Sequence, residues 1–208
     1  MMPRFPRKPA AQASVPSSRP PAWRSYRAGM ALNAALLALA LLAGFRCGEP
    51  GSIAPSLPQM RARLSEVKGR AARNTVQVVG NNVSVGGVLS LAATMPLYGP
   101  AVATWKLGFP LGALARSMID GVNRPSAIAL ALLLPHGVPE YAGFTLMLNS
   151  VTMWHFALAG ALRGRRPQWT SLLRYGAASL AAGCFVLGAA AVVECYITPA
   201  IVGLLMGL

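Results

Sequence analysis

Two of the five acidic residues in this 208-residue chain, Glu140 and Glu194, stand inside strongly apolar segments, and His136 precedes Glu140 by four positions. An acid in hydrocarbon costs at least ~2.5 kcal/mol on insertion scales, so such a group is turned toward protein or water. If the segment is helical, the i, i+4 spacing places His136 and Glu140 on one face. With His155 and Glu194 as further ligands, the set has the residue types of a buried metal site or a proton relay. Against catalysis by metal, no HExxH pattern is present, and Pro135, Gly137 and Pro139 interrupt a continuous helix through the pair. The reading favoured by the residues is structural: Glu140 and Glu194 accept hydrogen bonds from His136, Asn82 or freed helix amides, with an ion or proton pathway as the second reading. Asn81, Asn82, His136, Glu140, Asn149 and Glu194 are the candidates for one polar core, whereas His155, beside Trp154, reads as a packed histidine. No Ser-His-Asp arrangement, phosphate-binding loop or dinucleotide fingerprint is visible. The expectation is therefore a non-enzyme without a cofactor or a metal.

The elements that carry these residues are apolar and long. With 54% hydrophobic and 12% charged residues the chain is too apolar for an ordinary soluble domain, and it has room for five helical spans of ~20 residues each. The predicted fold is all-α, a polytopic helical membrane protein of about five transmembrane helices. Residues 1–27 hold six basic residues and many Pro, Ser and Ala, which predicts a disordered basic tail. Residues 28–45 form a first anchor, with a cleaved signal as the rival reading. Apolar segments follow at 75–97, 99–118, 127–134, 138–162 and 175–199. The eight residues of 127–134 are too short to span, so a broken or re-entrant half-helix is expected over 127–137, with a new helix starting near Pro139. A single membrane domain over 75–208 results.

Between the anchor and that domain lies the 46–74 segment, broken by Pro50, Gly51, Pro55 and Pro58. There Leu57, Met60, Leu64 and Val67 recur at helical spacing with arginine and lysine on the other sides. This is an amphipathic helix, lying on the interface or on a partner, or else a solvated spacer. Three cysteines without a CxxC pair do not form a disulfide framework or a zinc site.

Charge sets the orientation. The net charge of +14 comes from basic blocks between apolar segments without interleaved aromatics, the pattern of loops facing anionic lipid rather than nucleic acid. The basic tail and Arg163, Arg165, Arg166 and Arg174 are both expected in the cytoplasm, which places the C-terminus and the 46–74 segment outside. Gly108 and Gly112, with Gly176 and Gly183 on the last helix, are helix-packing positions. Packing within the molecule is favoured over a homo-oligomer interface.

Several motifs carry a resemblance. Leu134-Pro135-His136-Gly137-Val138-Pro139-Glu140, the Arg73-Asn74 pair ahead of Gly86-Gly87, the Gly108-x-x-x-Gly112 step and the closing Glu194-Cys195-Tyr196-Ile197-Thr198-Pro199 resemble the stage II sporulation protein M family over about residues 20–201. Where family members commonly carry an Asn-Gly pair, Lys106-Leu107-Gly108 stands here. The resemblance implies that Asn74, His136, Gly137, Glu140, Glu194, Thr198 and Pro199 are family motif positions. It also implies a mother-cell membrane scaffold that works with stage II sporulation proteins D and P, extracytoplasmic enzymes that cleave peptidoglycan during septal thinning and engulfment. A channel or permease component is the alternative.

Overall fold

The computed structural model describes residues 21–47, 57–95, 98–121 and 126–205, and these are helical apart from short connections. The helices are α1 (Pro21–Cys47), α2 (Leu57–Ala92), α3 (Gly99–Gly121), α4 (Ser126–Leu162), α5 (Trp169–Val192) and α6 (Thr198–Leu205), with a π-helical turn, Val193–Ile197, joining the last two. Among the described residues two stretches, Ala22–Cys47 and Trp169–Leu205, are long and apolar enough to cross a membrane. Helix α4 carries the buried polar residues Thr145, Asn149 and Thr152, which lower its apolarity while facing protein.

Helix α4 is the centre of the bundle and touches α1, α2, α3, α5, α6 and the π-turn. Around it the helices alternate in direction. Ala22 clusters with Ala157, and Asn33 meets Thr152 further along α1, so α1 and α4 are antiparallel. Gly176 lies against Met153 and Gly183 against Met147, so α5 also opposes α4. Asn82 pairs with Glu140 and Gly86 lies against Met147, so α2 runs with α4. Helix α3 runs with α1: Gly108 lies against Ala40 and Gly112 against Leu41 and Phe45. The core at the crossing is Leu37, Leu107, Phe144, Met147 and Leu187, one or two from each of α1, α3, α4 and α5.

Glycine sets the closest of these approaches. A Cβ on Gly112 would collide with the Leu41 carbonyl, and one on Gly44 with the Phe109 carbonyl, so α1 and α3 meet backbone to backbone. Arg116 completes the contact, its guanidinium 5.9 Å from the Phe45 ring centroid and 3.4 Å from the Phe45 carbonyl at the end of α1. A Cβ on Gly183 would stand 2.6 Å from Met147 Cγ, and one on Gly176 2.9 Å from Met153 Cε. Gly108, Gly112, Gly176 and Gly183 thus all lie at contacts inside the molecule.

Two sequence expectations change. The half-helix over 127–137 is not broken: α4 runs unbroken from Ser126 to Leu162 with Pro135 and Pro139 inside it. Each proline removes one intrahelical donor, freeing the carbonyls of Ala131 and Pro135, and packing against neighbouring helices holds the helix through the loss. Helix α1 reaches back beyond the expected anchor at 28–45 into the expected tail: Pro21 opens it, and Trp23 and Tyr26 pack with Tyr175. Within the 46–74 segment the expected amphipathic stretch is helical from Leu57, and a kink sets it off from the rest of α2, while residues 48–56 lie outside the described residues. Helix α2 starts at Leu57 and bends at Arg70, whose φ of −126° and ψ of 17° leave the helical region. The Leu57, Met60, Leu64 and Val67 stripe falls on this first part of α2, and those side chains lie outside the described residues.

Candidate functional site

Helix α4 presents His136 and Glu140 one turn apart, toward α2 on one side and the π-turn with α6 on the other. The Asn82 side-chain amide of α2 donates to Glu140 Oε1. Asn82 Oδ1 in turn accepts from Asn81 Nδ2 at 3.5 Å, which agrees with the orientation of the amide. On the other side His136 Nδ1 stands 3.3 Å from Thr198 Oγ1 at the start of α6. Glu194 stands in the π-turn, which packs against both α2 and α4. Asn82 and Thr198 are buried, while His136, Glu140 and Glu194 are half-buried.

The π-turn has a local cause. Pro199 has no N–H to give the carbonyl of Cys195, and its ring would press on that carbonyl in a regular helix. The turn before it widens, and the Thr198 N–H reaches back five residues to the Val193 carbonyl. Single π-turns of this kind gather at functional positions of helices. This one carries Glu194 and delivers Thr198 to His136.

The structure therefore brings together His136, Glu140, Glu194 and Thr198, with Asn82 as their partner on α2. Pro199 shapes the turn and touches none of the others chemically. Gly137 leaves open space, since a Cβ there would meet nothing within 4 Å. Asn74 lies apart, two turns or about 12 Å before Asn82 on the same helix.

The single polar core expected from the sequence is two clusters. Asn149 sits nine residues beyond Glu140, about 13 Å along α4. It belongs with Asn33 of α1, whose Oδ1 accepts from Thr152 Oγ1 at 3.2 Å. Asn33 and Asn149 are fully buried, and Asn33 Nδ2 and both polar atoms of Asn149 have no partner among the described residues. His155 is further still, about 22 Å from Glu140 along the helix, so it cannot join His136 and Glu140 in a ligand set. Among the described residues no three His, Cys, Asp or Glu side chains are grouped to hold a metal. Asn33 had one sequence signal, a lone amide in the middle of the first apolar run.

A family model, stage II sporulation protein M, matches residues 29–199. The chain belongs to that family. The match takes in Asn82, His136, Glu140, Glu194 and Thr198 and ends at Pro199, so the whole polar cluster lies within the family region. No curated protein and no solved structure matches the chain. The family is one of sporulation membrane proteins, which agrees with the two apolar helical stretches.

Proposed function

We propose that the protein is a membrane scaffold of endospore formation that recruits peptidoglycan-degrading enzymes, stage II sporulation proteins D and P, for septal thinning and engulfment. Family membership over residues 29–199 is the observation that carries this reading. The alternation of direction around α4 supports five spans, with α1, α3 and α5 pointing one way and α2 and α4 the other. With the basic blocks in the cytoplasm, the amphipathic start of α2 then lies outside, where the wall enzymes act. The channel or permease reading needs polar groups continuous across the membrane. Glu140 and Asn149 instead stand about 13 Å apart along α4; the Thr145 and Ser179 hydroxyls between them are spent on the Tyr141 and Leu146 carbonyls, and Phe144 and Met147 of the apolar core fill the interval, which weighs against a wetted path.

The test is co-purification from membranes. The tagged full-length protein is expected to retain the wall enzyme, and Leu57→Asp with Leu64→Asp is expected to release it while membrane insertion stays intact. Retention undiminished by the two aspartates removes this helix from the interface.

A further inference from the structure

The end of the bundle opposite the Glu140 cluster is where α1 begins and α4 passes to α5. A cavity of about 350 Å³ opens there, lined by Arg24 and Ser25 of α1 and by Arg165, Arg166 and Gln168 of the connection, with Phe156 of α4 as one wall. No acidic residue lines it. Three arginines lining one cavity without a carboxylate give it a positive field that favours an anion.

The arginines are held in place by backbone. Gly164, at a φ of +78°, closes α4: its N–H reaches the Ala161 carbonyl at 2.9 Å and the Arg165 N–H reaches the Gly160 carbonyl at 3.0 Å. This is the Schellman arrangement, and it fixes where Arg165 leaves the helix. Four residues later Gln168 leads into α5 without capping it by its side chain, so the first amides of α5 are free of a cap and carry the positive end of the helix dipole.

On the other side of Phe156 lies a second cavity of about 470 Å³, walled mainly by Leu32, Leu36, Leu158 and Leu162. A basic cavity and an apolar groove thus share one phenylalanine. Rings mark the level at which they meet: Trp23, Tyr26 and Tyr175 lie within 6.1 Å of one another by centroid, and Trp154 stacks on Trp169 at 5.7 Å. Such aromatic groups sit at the headgroup depth of a bilayer.

We infer that this end of the protein binds one anionic phospholipid, its phosphate held by Arg24, Arg165 and Arg166 and an acyl chain laid past Phe156 along Leu32 and Leu36. Free phosphate has the same headgroup chemistry but makes no use of the groove. A zwitterionic lipid brings a cation into a cavity that already holds three. The site is independent of the recruitment of wall enzymes and stands if that reading fails.

The full-length protein in neutral detergent is titrated with dihexanoyl phosphatidylglycerol, with dihexanoyl phosphatidylcholine and with inorganic phosphate, following thermal unfolding and tryptophan fluorescence. Phosphatidylglycerol is expected to bind saturably and at least about tenfold more tightly than phosphatidylcholine. Arg165→Gln with Arg166→Gln is expected to weaken it by about tenfold or more, with the lipid-free unfolding temperature unchanged because both side chains are exposed. Arg24→Gln, on the opposite wall, repeats the test in an independent variant. Equal binding of the two lipids, or phosphatidylglycerol binding that survives all three substitutions, overturns the site. Inorganic phosphate matching phosphatidylglycerol with the same arginine dependence overturns its assignment to lipid.

Discussion

A carboxylate on a helix inside a membrane domain needs an answer to its charge, and for Glu140 the nearest answer is the Asn82 amide. Removing that amide leaves a half-buried acid without its donor, which costs ~1–3 kcal/mol. Asn82→Ala and Glu140→Ala should each lower thermal stability in detergent by that order. Because the two side chains share one bond, the double substitution should cost less than the sum. Additive losses in that cycle sink the pairing. Asn149 makes the contrary case. Its amide is buried with neither polar atom partnered among the described residues, so Asn149→Leu, of similar size, should be neutral or stabilising in the same assay. Glu140 and Glu194 were legible in the sequence because charge is rare in apolar segments and each acid stood out singly. The division into two polar clusters was not, since it depends on which residues of α1 and α2 come opposite α4, and an amide such as Asn33 carries no address in its neighbours.

At the scale of the elements, the all-helical make-up was readable in the sequence, while the continuity of α4 was not. Pro135, Gly137 and Pro139 are each a helix breaker in water. Packed against α1, α2, α3, α5 and α6, α4 keeps its course, because the alternative exposes more backbone groups than the two carbonyls already freed. The π-turn is a fine adjustment of the same kind, and it turns on Pro199. Pro199→Ala restores a donor for the Cys195 carbonyl and lets the turn relax to α-helix, which rotates Glu194 relative to Thr198. The expected result is loss of the coupling between Glu140 and Glu194, measured by a double-mutant cycle in the alanine background; coupling that persists there means the π-turn does not position the acid. Glycine divides in the same way by surroundings. Gly112→Val drives a side chain into the Leu41 carbonyl and should cost ~3 kcal/mol or prevent accumulation. Gly80→Ala on the exposed face of α2 meets nothing within 4 Å and should stabilise by up to ~1 kcal/mol through helix propensity. Equal losses from both substitutions would show that backbone strain rather than contact governs these glycines.

For the whole molecule, the decisive quantity is direction. Basic residues at the start of α1 and in the α4–α5 connection lie at one end of the bundle, with the aromatic rings beside them. The antiparallel course of α1 and α4 brings those two blocks together in space, which the positive-inside rule requires of segments on one side of a membrane. Helix α4, with 37 residues, rises about 55 Å and exceeds a hydrocarbon core of about 30 Å, so the proposed topology carries its first turns past the far surface toward the 46–74 side. The proposed topology, five alternating spans with the N-terminus in the cytoplasm and the C-terminus outside, is consistent with these terms together. Single cysteines placed at Ser52 and at Gln168, in a background where Cys47, Cys184 and Cys195 are replaced by serine or alanine, separate the possibilities. An impermeant thiol reagent applied to intact cells should modify position 52 and spare position 168 until the membrane is opened. Labelling of position 168 with protection of position 52 inverts the protein, moving the amphipathic start of α2 to the side where no wall enzyme can reach it.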